Sequence, residues 1–559
     1  MTLLLLACAP PDAPISEPAE TGTLPTDDTA PAPVYDGAAG TFHNQKLEVD
    51  GEDRRYFLYV PDAYDGTEAW PLLIDFHGTA GATSTRDRVE EYYAYEGMLA
   101  AADAARVIVV RPRSLSSEEA GQLVYRWDQN RGDLAKNEVY ADALIAELRA
   151  HYRIGPLWSA GFSNGTNMAF QLADDDTLGV AAVGAVGGGL WDAPDHLAAS
   201  VTAVYDTTGY RDYMVWYWRD AQAWLTAQGF PAEATFYQET DAGHELYGWH
   251  YDELFTWFAD GTRPEADPGS VWTPEDAGTD VSFTELTRAP DGAVLATAGD
   301  GSLWRRSSDG AWASVRDGQD AALLGVCVNA DGTGIAVGEQ DAVGTVDGGL
   351  TWTEVPAVPD YAGIWGSLGW SAGAGCADGH ALVGGYWTAA HTEDGGASWS
   401  ELSVEAWGTT ASAVAFAHDG LRWAAVGYAY AGSAGEDLVF TPADFPNAYT
   451  DWLNDVDADP AGGFWAVGEA GGVFRSDDGS DWAAVSKAGT DDLYTIAVAP
   501  DGALLVAGVH GAAWLSTDAG VTWTRLPTGT AGFLGGSVWL DDATALVAGE
   551  DGSVFRWQR

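Results

Sequence analysis

Between residues 47 and 260, apolar runs of strand length alternate with amphipathic stretches of helix length. Several runs are almost continuously apolar, as strands are when helices cover both faces of a parallel sheet. The stretch Glu138–His151 carries apolar residues at helical spacing from Val139 to Leu148, which predicts one buried helix face. Residues 38–262 are therefore predicted to form an α/β domain with a doubly wound sheet. The predicted strands are Arg55–Val60, Leu72–Phe76, Val107–Arg111, Leu157–Ala160, Ala181–Val186, Val201–Tyr205 and Ala234–Gln238.

A different pattern fills residues 270–559. An apolar strand that ends in glycine recurs there at a spacing of about 40 residues, which is typical of a β-propeller with four short strands per blade. Seven such glycines predict seven blades. The last unit lacks its outer strand, and Ser270–Thr273 resembles the missing piece, so we expect this segment to close the ring. The glycines are Gly299, Gly338, Gly384, Gly427, Gly468, Gly508 and Gly549.

Composition narrows the classes of function. Of the 559 residues, 46% are hydrophobic and 19% are charged, which is enough apolar material for two cores. The formal net charge is -57, and a surface this acidic repels nucleic acid and anionic lipid. No apolar run approaches the ~18 residues of a membrane-spanning helix. We therefore expect no nucleic-acid partner and no transmembrane segment.

The cysteines suggest how the chain is placed in the cell. Cys8 follows a run of leucines and an alanine, which resembles a bacterial lipobox, and so 1–8 is interpreted as a truncated lipoprotein signal with Cys8 as the lipidation site. Residues 9–37 are rich in Pro, Thr, Asp and Glu and predict a disordered acidic linker. The protein is expected to be extracytoplasmic, held on the membrane by the lipid anchor only, or secreted. Cys327 and Cys376 are expected to be ordinary buried thiols rather than a disulfide.

One motif in the first region carries chemistry. Gly161-Phe162-Ser163-Asn164-Gly165 follows a predicted strand and precedes a helical run. Gly-x-Ser-x-Gly in this context places the serine hydroxyl on a sharp turn at the C-terminal edge of the sheet. The glycines are needed because side chains beside the turn would collide with the strand and the helix. Ser163 is therefore the predicted nucleophile.

A nucleophilic serine needs a histidine base and an acid that orients it, in the chain order serine, acid, histidine. His244 follows the last predicted strand and is preferred as the base over His196 and His250. Asp206 and Asp212 compete for the role of the acid. Asp212 is preferred because it lies past the turn, where the mouth of the site is expected.

The oxyanion of the intermediate needs two backbone N–H groups. One is expected from Asn164, directly after the nucleophile, and the other from Thr79 in the loop after the strand Leu72–Phe76. His77, in the same loop, is interpreted as structural. Trp249 follows His244 by a few residues and is a candidate wall of the substrate pocket.

These motifs resemble the polyhydroxybutyrate depolymerase and feruloyl esterase group of the α/β-hydrolase superfamily. The resemblance spans 38–262 and implies that Ser163 is the nucleophile, Asp212 the acid and His244 the base of an enzyme that hydrolyses carboxylic esters. Polyhydroxyalkanoate, feruloyl esters and acetylated polysaccharides are the implied substrates, including polymeric ones. The segments that carry it are Arg55–Pro61, Pro71–Gly78, Gly161–Gly165 with Met168, Gly209–Asp212 and Gly243-His244.

A second motif follows most of the repeated strands of the second region. The four full copies resemble the Asp-box, or BNR, repeat of sialidases and of propellers related to photosystem II assembly factors. The resemblance implies that the Asp caps backbone N–H groups and that the Trp packs between blades. No arginine triad accompanies the turns, so sialidase chemistry is not expected. The loops on one face form a platform for a glycan or protein ligand, and a rigid spacer is the alternative interpretation. The copies are Thr345–Trp352, Glu393–Trp399, Ser476–Trp482 and Ser516–Trp523.

Three functions fit this organisation: a surface-anchored serine esterase with a targeting propeller, a non-catalytic binding or adhesion protein, and a serine peptidase. The intact Ser163, Asp212 and His244 favour the esterase. In prolyl-oligopeptidase-like peptidases the propeller precedes the catalytic part, whereas here it follows, so gating of the site by the propeller is not expected. The linker 263–269 is rich in Pro, and the two regions are expected to fold separately. No cofactor and no metal are expected, because phosphate-binding and metal-binding motifs are missing from the sequence.

Overall fold

A computed structural model describes most of the chain. Cys8 and residues 9–34 of the predicted acidic linker lie outside the described residues. In the part that is described, no helix is both long and apolar enough to span a membrane. The described residues are 35–81, 96–119, 122–127, 131–190, 192–212, 214–240, 244, 246, 248–263, 266, 268–319, 321–338, 342–356, 371–385, 388–402, 415–427, 430–443 and 453–559.

The first region is built on one mixed sheet of eight strands with helices around it. The strands are β1 (Gly40–Val49), β2 (Glu52–Val60), β3 (Trp70–Phe76), β4 (Ala80–Gly81), β5 (Ile108–Pro112), β6 (Ser116–Glu119), β7 (Gln122–Tyr125), β8 (Ile154–Phe162), β9 (Val180–Val186), β10 (Ala203–Gly209) and β11 (Thr235–Thr240). The described helices are α1 (Glu96–Ala105), α2 (Arg131–His151), α3 (Asn164–Leu172), α4 (Val215–Gln228) and α5 (Gly248–Asp260).

The strand order in this sheet is β1-β2-β5-β3-β8-β9-β10-β11, and β4, β6 and β7 form a separate small sheet. From β5 to β11 the neighbours are parallel, and only β1 and β2 run antiparallel to their partners. The parallel strands are buried, with one apolar cluster on each face of the sheet. All C-terminal ends of β8 to β11 therefore meet at one edge, where the predicted site residues follow them.

Two sequence-based details of this region are corrected. The strand predicted at Val201–Tyr205 runs from Ala203 to Gly209, so Asp206 lies inside it and not at its end. Val139 is 44% exposed, because the buried face of α2 passes through Tyr140, Leu144 and Leu148 instead.

The second region confirms the predicted seven-bladed β-propeller. Seven four-stranded antiparallel sheets follow one another, and the first strands of neighbouring blades contact each other around the whole ring. Blades 1 to 3 are β13–β16 (Phe283–Arg288, Val294–Ala298, Leu303–Arg306, Trp312–Arg316), β17–β20 (Leu323–Val328, Gly334–Gly338, Ala342–Thr345, Thr353–Glu354) and β21–β24 (Ser371–Ala377, His380–Gly385, Thr388–Thr392, Ser400–Glu401). Blades 4 to 6 are β25–β28 (Ala415–His418, Trp423–Gly427, Tyr430–Ala434, Thr441–Pro442), β29–β32 (Leu453–Ala458, Phe464–Gly468, Gly472–Ser476, Ala483–Lys487) and β33–β36 (Leu493–Val498, Leu504–Gly508, Ala513–Ser516, Thr524–Arg525). Blade 7 contains β37 (Leu534–Trp539), β38 (Thr544–Gly549), β39 (Val554–Gln558) and β12 (Thr273–Pro274).

The ring closes as the sequence predicts. Strand β12, which precedes blade 1 in the chain, pairs with β39 and supplies the outer strand of blade 7. Trp272, just before β12, is buried and donates its indole N–H to the carbonyl of Leu526 in blade 6. Both ends of the propeller therefore share one blade.

Close packing explains the recurrent glycine at the end of the second strand. A Cβ at Gly338 would lie 1.9 Å from the Ala322 carbonyl oxygen, which directly precedes the first strand of the same blade. The same distance of 1.9 Å separates a Cβ at Gly508 from the Asp492 carbonyl oxygen. A side chain cannot fit there, because carbon and oxygen atoms in contact lie about 3.5 Å apart. The glycine is therefore a steric requirement in blades 2 and 6, and in blade 7, where a Cβ at Gly549 would lie 1.9 Å from the Phe533 carbonyl oxygen.

The Asp-box turns have the geometry that the resemblance implies. In blade 2, Asp347 Oδ1 accepts the N–H groups of Leu350 (3.1 Å) and Thr351 (2.9 Å). The tryptophans reach the preceding blade: Trp523 donates its indole N–H to Ser486 Oγ at 2.9 Å, and Trp399 donates to the Pro356 carbonyl at 2.9 Å. These turns hold backbone loops in place and join neighbouring blades.

The expectation of two unpaired thiols in the propeller is wrong. Cys327 on β17 and Cys376 on β21 form a disulfide, with their Cα atoms 5.3 Å apart, which lies in the usual range for such bonds. The two residues are 49 positions apart in the chain. They meet because the first strands of blades 2 and 3 lie side by side.

Candidate active site

Three side chains that the sequence singled out meet at the C-terminal edge of the first region's sheet. Ser163 follows β8, Asp212 lies in the turn after β10, and His244 follows β11. His244 Nε2 lies 2.8 Å from Ser163 Oγ, and His244 Nδ1 lies 2.9 Å from Asp212 Oδ1. With the Nδ1 proton directed at the carboxylate, Nε2 is the acceptor for the serine hydroxyl. The three groups form one hydrogen-bonded chain.

The turn at Ser163 is strained and tightly enclosed. Ser163 has φ 53° and ψ -121°, a conformation that costs a non-glycine residue about 1–3 kcal/mol. A Cβ at Gly161 would lie 2.2 Å from the carbonyl oxygen of Gly165, and one at Gly165 would lie 2.0 Å from that of Phe76. Strand β8 and helix α3 can approach this closely only because both positions are glycine.

The two competing aspartates occupy different environments. Asp212 is fully buried, and its Oδ1 also accepts the N–H of Met214 at 2.7 Å, which fixes the carboxylate toward His244. Asp206 is also buried, but it lies within β10, among Trp218 and Tyr237. Burial raises the pKa of Asp206 well above its usual value, because a low-dielectric environment disfavours the charged carboxylate. The structure therefore brings Asp212 to His244, and Asp206 points elsewhere.

The loop after β3 lies against the nucleophile. A Cβ at Gly78 would lie 3.1 Å from Ser163 Cβ. His77 is buried; its Nε2 accepts the N–H of Ser114 at 3.1 Å, so Nδ1 carries the proton and donates to the Gly78 carbonyl at 2.6 Å. Burial lowers the pKa of His77 to about 3, which keeps the ring neutral. Because a peptide unit is planar and trans, fixing the Gly78 carbonyl also fixes the opposite direction of the Thr79 N–H.

Asn164 is the first residue of α3, so its N–H has no acceptor within the helix. Its side chain is held from below: Asn164 Oδ1 accepts the N–H of Trp127 at 2.6 Å, and the Trp127 indole donates to the His77 carbonyl at 2.8 Å. Trp127 thus connects both loops that are expected to supply oxyanion donors. Sequence reasoning missed it, because a single tryptophan outside any motif carries no positional signal.

The remaining candidates lie away from the triad. His196 is half-exposed and pairs with Asp174 and Asp176 on the surface. His250 is buried, and burial together with the charge of His510 lowers its pKa to about 3. Trp249 is buried against Tyr494, Val509 and Phe533 of the propeller, and its indole donates to Asp492 Oδ2 at 2.8 Å. Its role as a pocket wall stays a prediction, and the contacts found for it join the two regions.

One group in the propeller has metal-ligand chemistry. His380, His391 and Glu393 of blade 3 bring one ligand atom each to within 4.8 Å of one another. All three belong to β22, β23 and the turn after them, not to the sheet edge that carries Ser163. The hydrogen-bonded chain at Ser163 needs no metal ion to activate its nucleophile, since a histidine base performs that step.

No protein-family model matches the chain, and no curated protein matches it. Among solved structures, YCF48 bound to a D1 peptide is similar at 18% identity and a TM-score of 0.42, over 53% of this chain and 97% of that chain. YCF48 from Cyanidioschyzon merolae is similar at 16% identity and a TM-score of 0.42, over 52% of this chain and 99% of that one. The WD40 β-propeller domain of Doa1 follows at 14% identity and a TM-score of 0.40, over 52% and 97%.

Proposed function

We propose that the protein is a serine hydrolase that cleaves carboxylic esters through an acyl-enzyme. The observation that carries the proposal is the hydrogen-bonded chain from Ser163 through His244 to Asp212 at a strained strand-to-helix turn. An ordinary structural serine does not require a left-handed backbone with glycines packed on both sides. This context also supports assignment of the first region to the α/β-hydrolases.

Each group of the hydrogen-bonded chain has a defined role in the proposed mechanism. Ser163 Oγ attacks the ester carbonyl carbon while His244 Nε2 takes the hydroxyl proton, and the Asp212 carboxylate stabilises the imidazolium. The backbone N–H groups of Asn164 and Thr79 are the proposed donors to the tetrahedral oxyanion. Collapse breaks the bond to the alcohol, which leaves with the proton from His244. Water then attacks the acyl group, His244 takes its proton, and the carboxylic acid departs as Ser163 is reprotonated.

The proposed substrates are polyhydroxyalkanoate, feruloyl esters and acetylated polysaccharides, and the proposed location is outside the cytoplasm. The disulfide between Cys327 and Cys376 supports that location, because disulfides persist in oxidising compartments. Lipidation at Cys8 is part of the same proposal. A Cys8→Ser variant expressed from an upstream start should leave the membrane fraction, and equal membrane association of both proteins would contradict the anchor.

The experiment is a substrate panel on the full-length protein: short p-nitrophenyl esters, methyl ferulate, acetylated xylan, polyhydroxybutyrate and a peptide p-nitroanilide. We expect ester turnover that Ser163→Ala reduces by a factor on the order of 10⁶, the loss seen when such a nucleophile is removed. A serine-directed phosphonate should label Ser163 in the wild type. Cleavage of the anilide with no ester turnover would indicate a peptidase. No turnover and no labelling would leave a non-catalytic binding protein.

A further inference from the structure

The acid of the triad lies at the end of a turn whose central residues are buried. The N–H of Asp212 donates to the Gly209 carbonyl at 2.9 Å, so Tyr210 and Arg211 are the two central residues of this turn. Central turn residues normally face solvent, yet Tyr210 is 3% exposed and Arg211 is 8% exposed. The propeller covers them.

Tyr210 packs against blades 1 and 2. Its ring forms an apolar cluster with Ala322 and Leu324, at the start of the first strand of blade 2. At Gly299, which follows the second strand of blade 1, a Cβ would lie 2.1 Å from the Tyr210 hydroxyl oxygen. The hydroxyl end of Tyr210 therefore occupies the space that a side chain at position 299 would need.

Arg211, the other central residue of the turn, is 8% exposed, and its charge acts on a carboxyl of the propeller. Burial raises the pKa of Asp455, on the first strand of blade 5, to about 7, and the positive charge of Arg211 acts against that rise. Asp455 also accepts the N–H of Ile496 in blade 6 at 2.8 Å, so its carboxylate is fixed between two inner strands.

A second set of contacts joins the first region to blades 6 and 7. Beside the Trp249–Asp492 hydrogen bond, His510 Nε2 lies 3.6 Å from Glu253 Oε1. Glu550 Oε2 accepts a hydrogen bond from Gln238 Nε2 at 3.4 Å, and Glu550 Oε1 accepts one from Arg263 Nη1 at 3.3 Å. These contacts connect β11, α5 and the residue Arg263 after it to blades 6 and 7.

All these propeller residues belong to one face. Gly299, His510 and Glu550 follow second strands, and Ala322 and Asp492 precede first strands. Because successive strands of a blade are antiparallel, these positions share one end of the blade, and the Asp-box turns between the third and fourth strands lie at the other end. We call this end of the propeller the docking face.

We propose that the docking face of the propeller is a structural part of the esterase site, and that Tyr210 and Arg211 are positioning residues that hold the Asp212 turn against it. This inference rests on the proposed esterase function and goes beyond it. In this arrangement a surface of the propeller holds the turn that carries the acid of the triad. Because the docking face contacts the first region, the end of the propeller that carries the Asp-box turns is the end at which any further ligand would bind.

The test uses full-length variants and kcat and KM on a p-nitrophenyl ester. Arg211→Gln should lower kcat about 10- to 100-fold with little change in KM, because a small displacement of a catalytic group costs rate rather than binding. Arg211→Lys should restore most of kcat. Arg263→Gln removes an ion pair of the same interface away from the Asp212 turn, and should leave kcat within about twofold.

A second pair of variants distinguishes an effect on the site from a general effect of a glycine substitution on folding. Gly299→Ala places a methyl group against the Tyr210 hydroxyl and should lower kcat, although it lies in the propeller. Gly435→Ala is its matched control, since the nearest atom to its Cβ is 3.7 Å away, and it should leave kcat unchanged. Wild-type kcat in both Arg211→Gln and Gly299→Ala would overturn the proposal, as would an equal loss in Arg263→Gln. A wild-type protein without esterase activity and without phosphonate labelling at Ser163 would remove the proposed function, and this inference with it.

Discussion

The first region and the propeller use exceptional residues in opposite ways. In the first region, chemistry is concentrated in three side chains from three separate loops, and the strained Ser163 is found at no repeated position. In the propeller, the conspicuous motif is repeated, and each copy caps its own turn. The propeller residues that contact the first region, such as Asp492 and His510, lie outside that motif. The Asp-box repeat therefore marks architecture, and the contacts with the first region lie at the other end of the blades.

The largest expected effect comes from replacing, one at a time, the two aspartates of β10 and of the turn that follows it by asparagine. Asp212→Asn should lower kcat by about 10⁴-fold, because the amide no longer holds the required tautomer of His244. Asp206→Asn is the matched control: this carboxyl is buried within β10, away from the turn that carries Asp212, and kcat of the variant should stay close to wild type. The measurement is the ester turnover of both variants. A larger loss for Asp206→Asn would identify Asp206, and not Asp212, as the acid of the triad.

The propeller should respond in stability rather than in turnover. Replacing Cys327 and Cys376 together by Ala opens a loop of 49 residues, for which the chain-entropy model gives a loss of about 4 kcal/mol. Denaturant unfolding should show that loss while kcat at 25 °C is unchanged. Reductant should destabilise the wild type and leave the variant unaffected. Equal stability of both proteins would show that the bond contributes nothing.

The boundary between the two regions should be sensitive to pH. Burial raises the pKa of Asp455 to about 7 and that of Asp492 to about 6, so folding takes up protons there and stability falls as pH rises from about 4 through those values. Burial disfavours the charge of His510, but Asp491 and Glu253 more than offset this and raise its pKa to about 10. Its contribution is complete below about pH 6.5 and disappears as pH rises through 10. Both effects have the same sign.

We therefore expect a melting temperature several degrees higher at pH 5.5 than at pH 8, measured at constant ionic strength. Asp455→Asn removes one of the titrating carboxyls and should flatten the decline between pH 4 and 7. A melting temperature that rises across this range would contradict the assignment of these groups.

The smallest expected effect comes from a single Asp-box. Asp347→Ala removes the acceptor for two backbone N–H groups of one exposed turn and should cost about 1 kcal/mol in the free energy of unfolding. Asp542→Ala makes the same charge change on an exposed turn and should be close to neutral. Neither variant should alter kcat. An effect of Asp347→Ala on turnover would mean that the Asp-box end of the propeller reaches the site after all.

Much of the fold could be predicted from local patterns. Buried parallel strands are long apolar runs, so β3, β8 and β9 were found within a few residues. The ring closure could be predicted because the last repeat lacks its outer strand, and a strand-like segment that belongs to no repeat precedes the first one. At the site, the order of the chain placed Ser163 and His244, since both follow strands that end at the same edge.

The contacts between distant segments could not be predicted in this way. Cys327 and Cys376 pair because inner strands of adjacent blades are neighbours, which their spacing of 49 residues does not indicate. Tyr210 and Trp249 looked like residues of a core or a pocket, and only the placement of the propeller shows what covers them. A hydrophobic pattern reports that a side chain is buried, but not which surface buries it.

The shared blade at the ends of the propeller has a consequence for synthesis on the ribosome. Strand β12 emerges early and pairs with β39, so its partner is the segment Val554–Gln558, made some 280 residues later. The first region can fold while the rest is still being translated, since domains generally fold as units during synthesis. The Asp212 turn, however, meets a closed ring only after that last strand has left the exit tunnel. Chains released early by a nonsense codon or a frameshift would thus carry the proposed triad without the propeller surface proposed to support it, so that the proposed activity would depend on completion of the message.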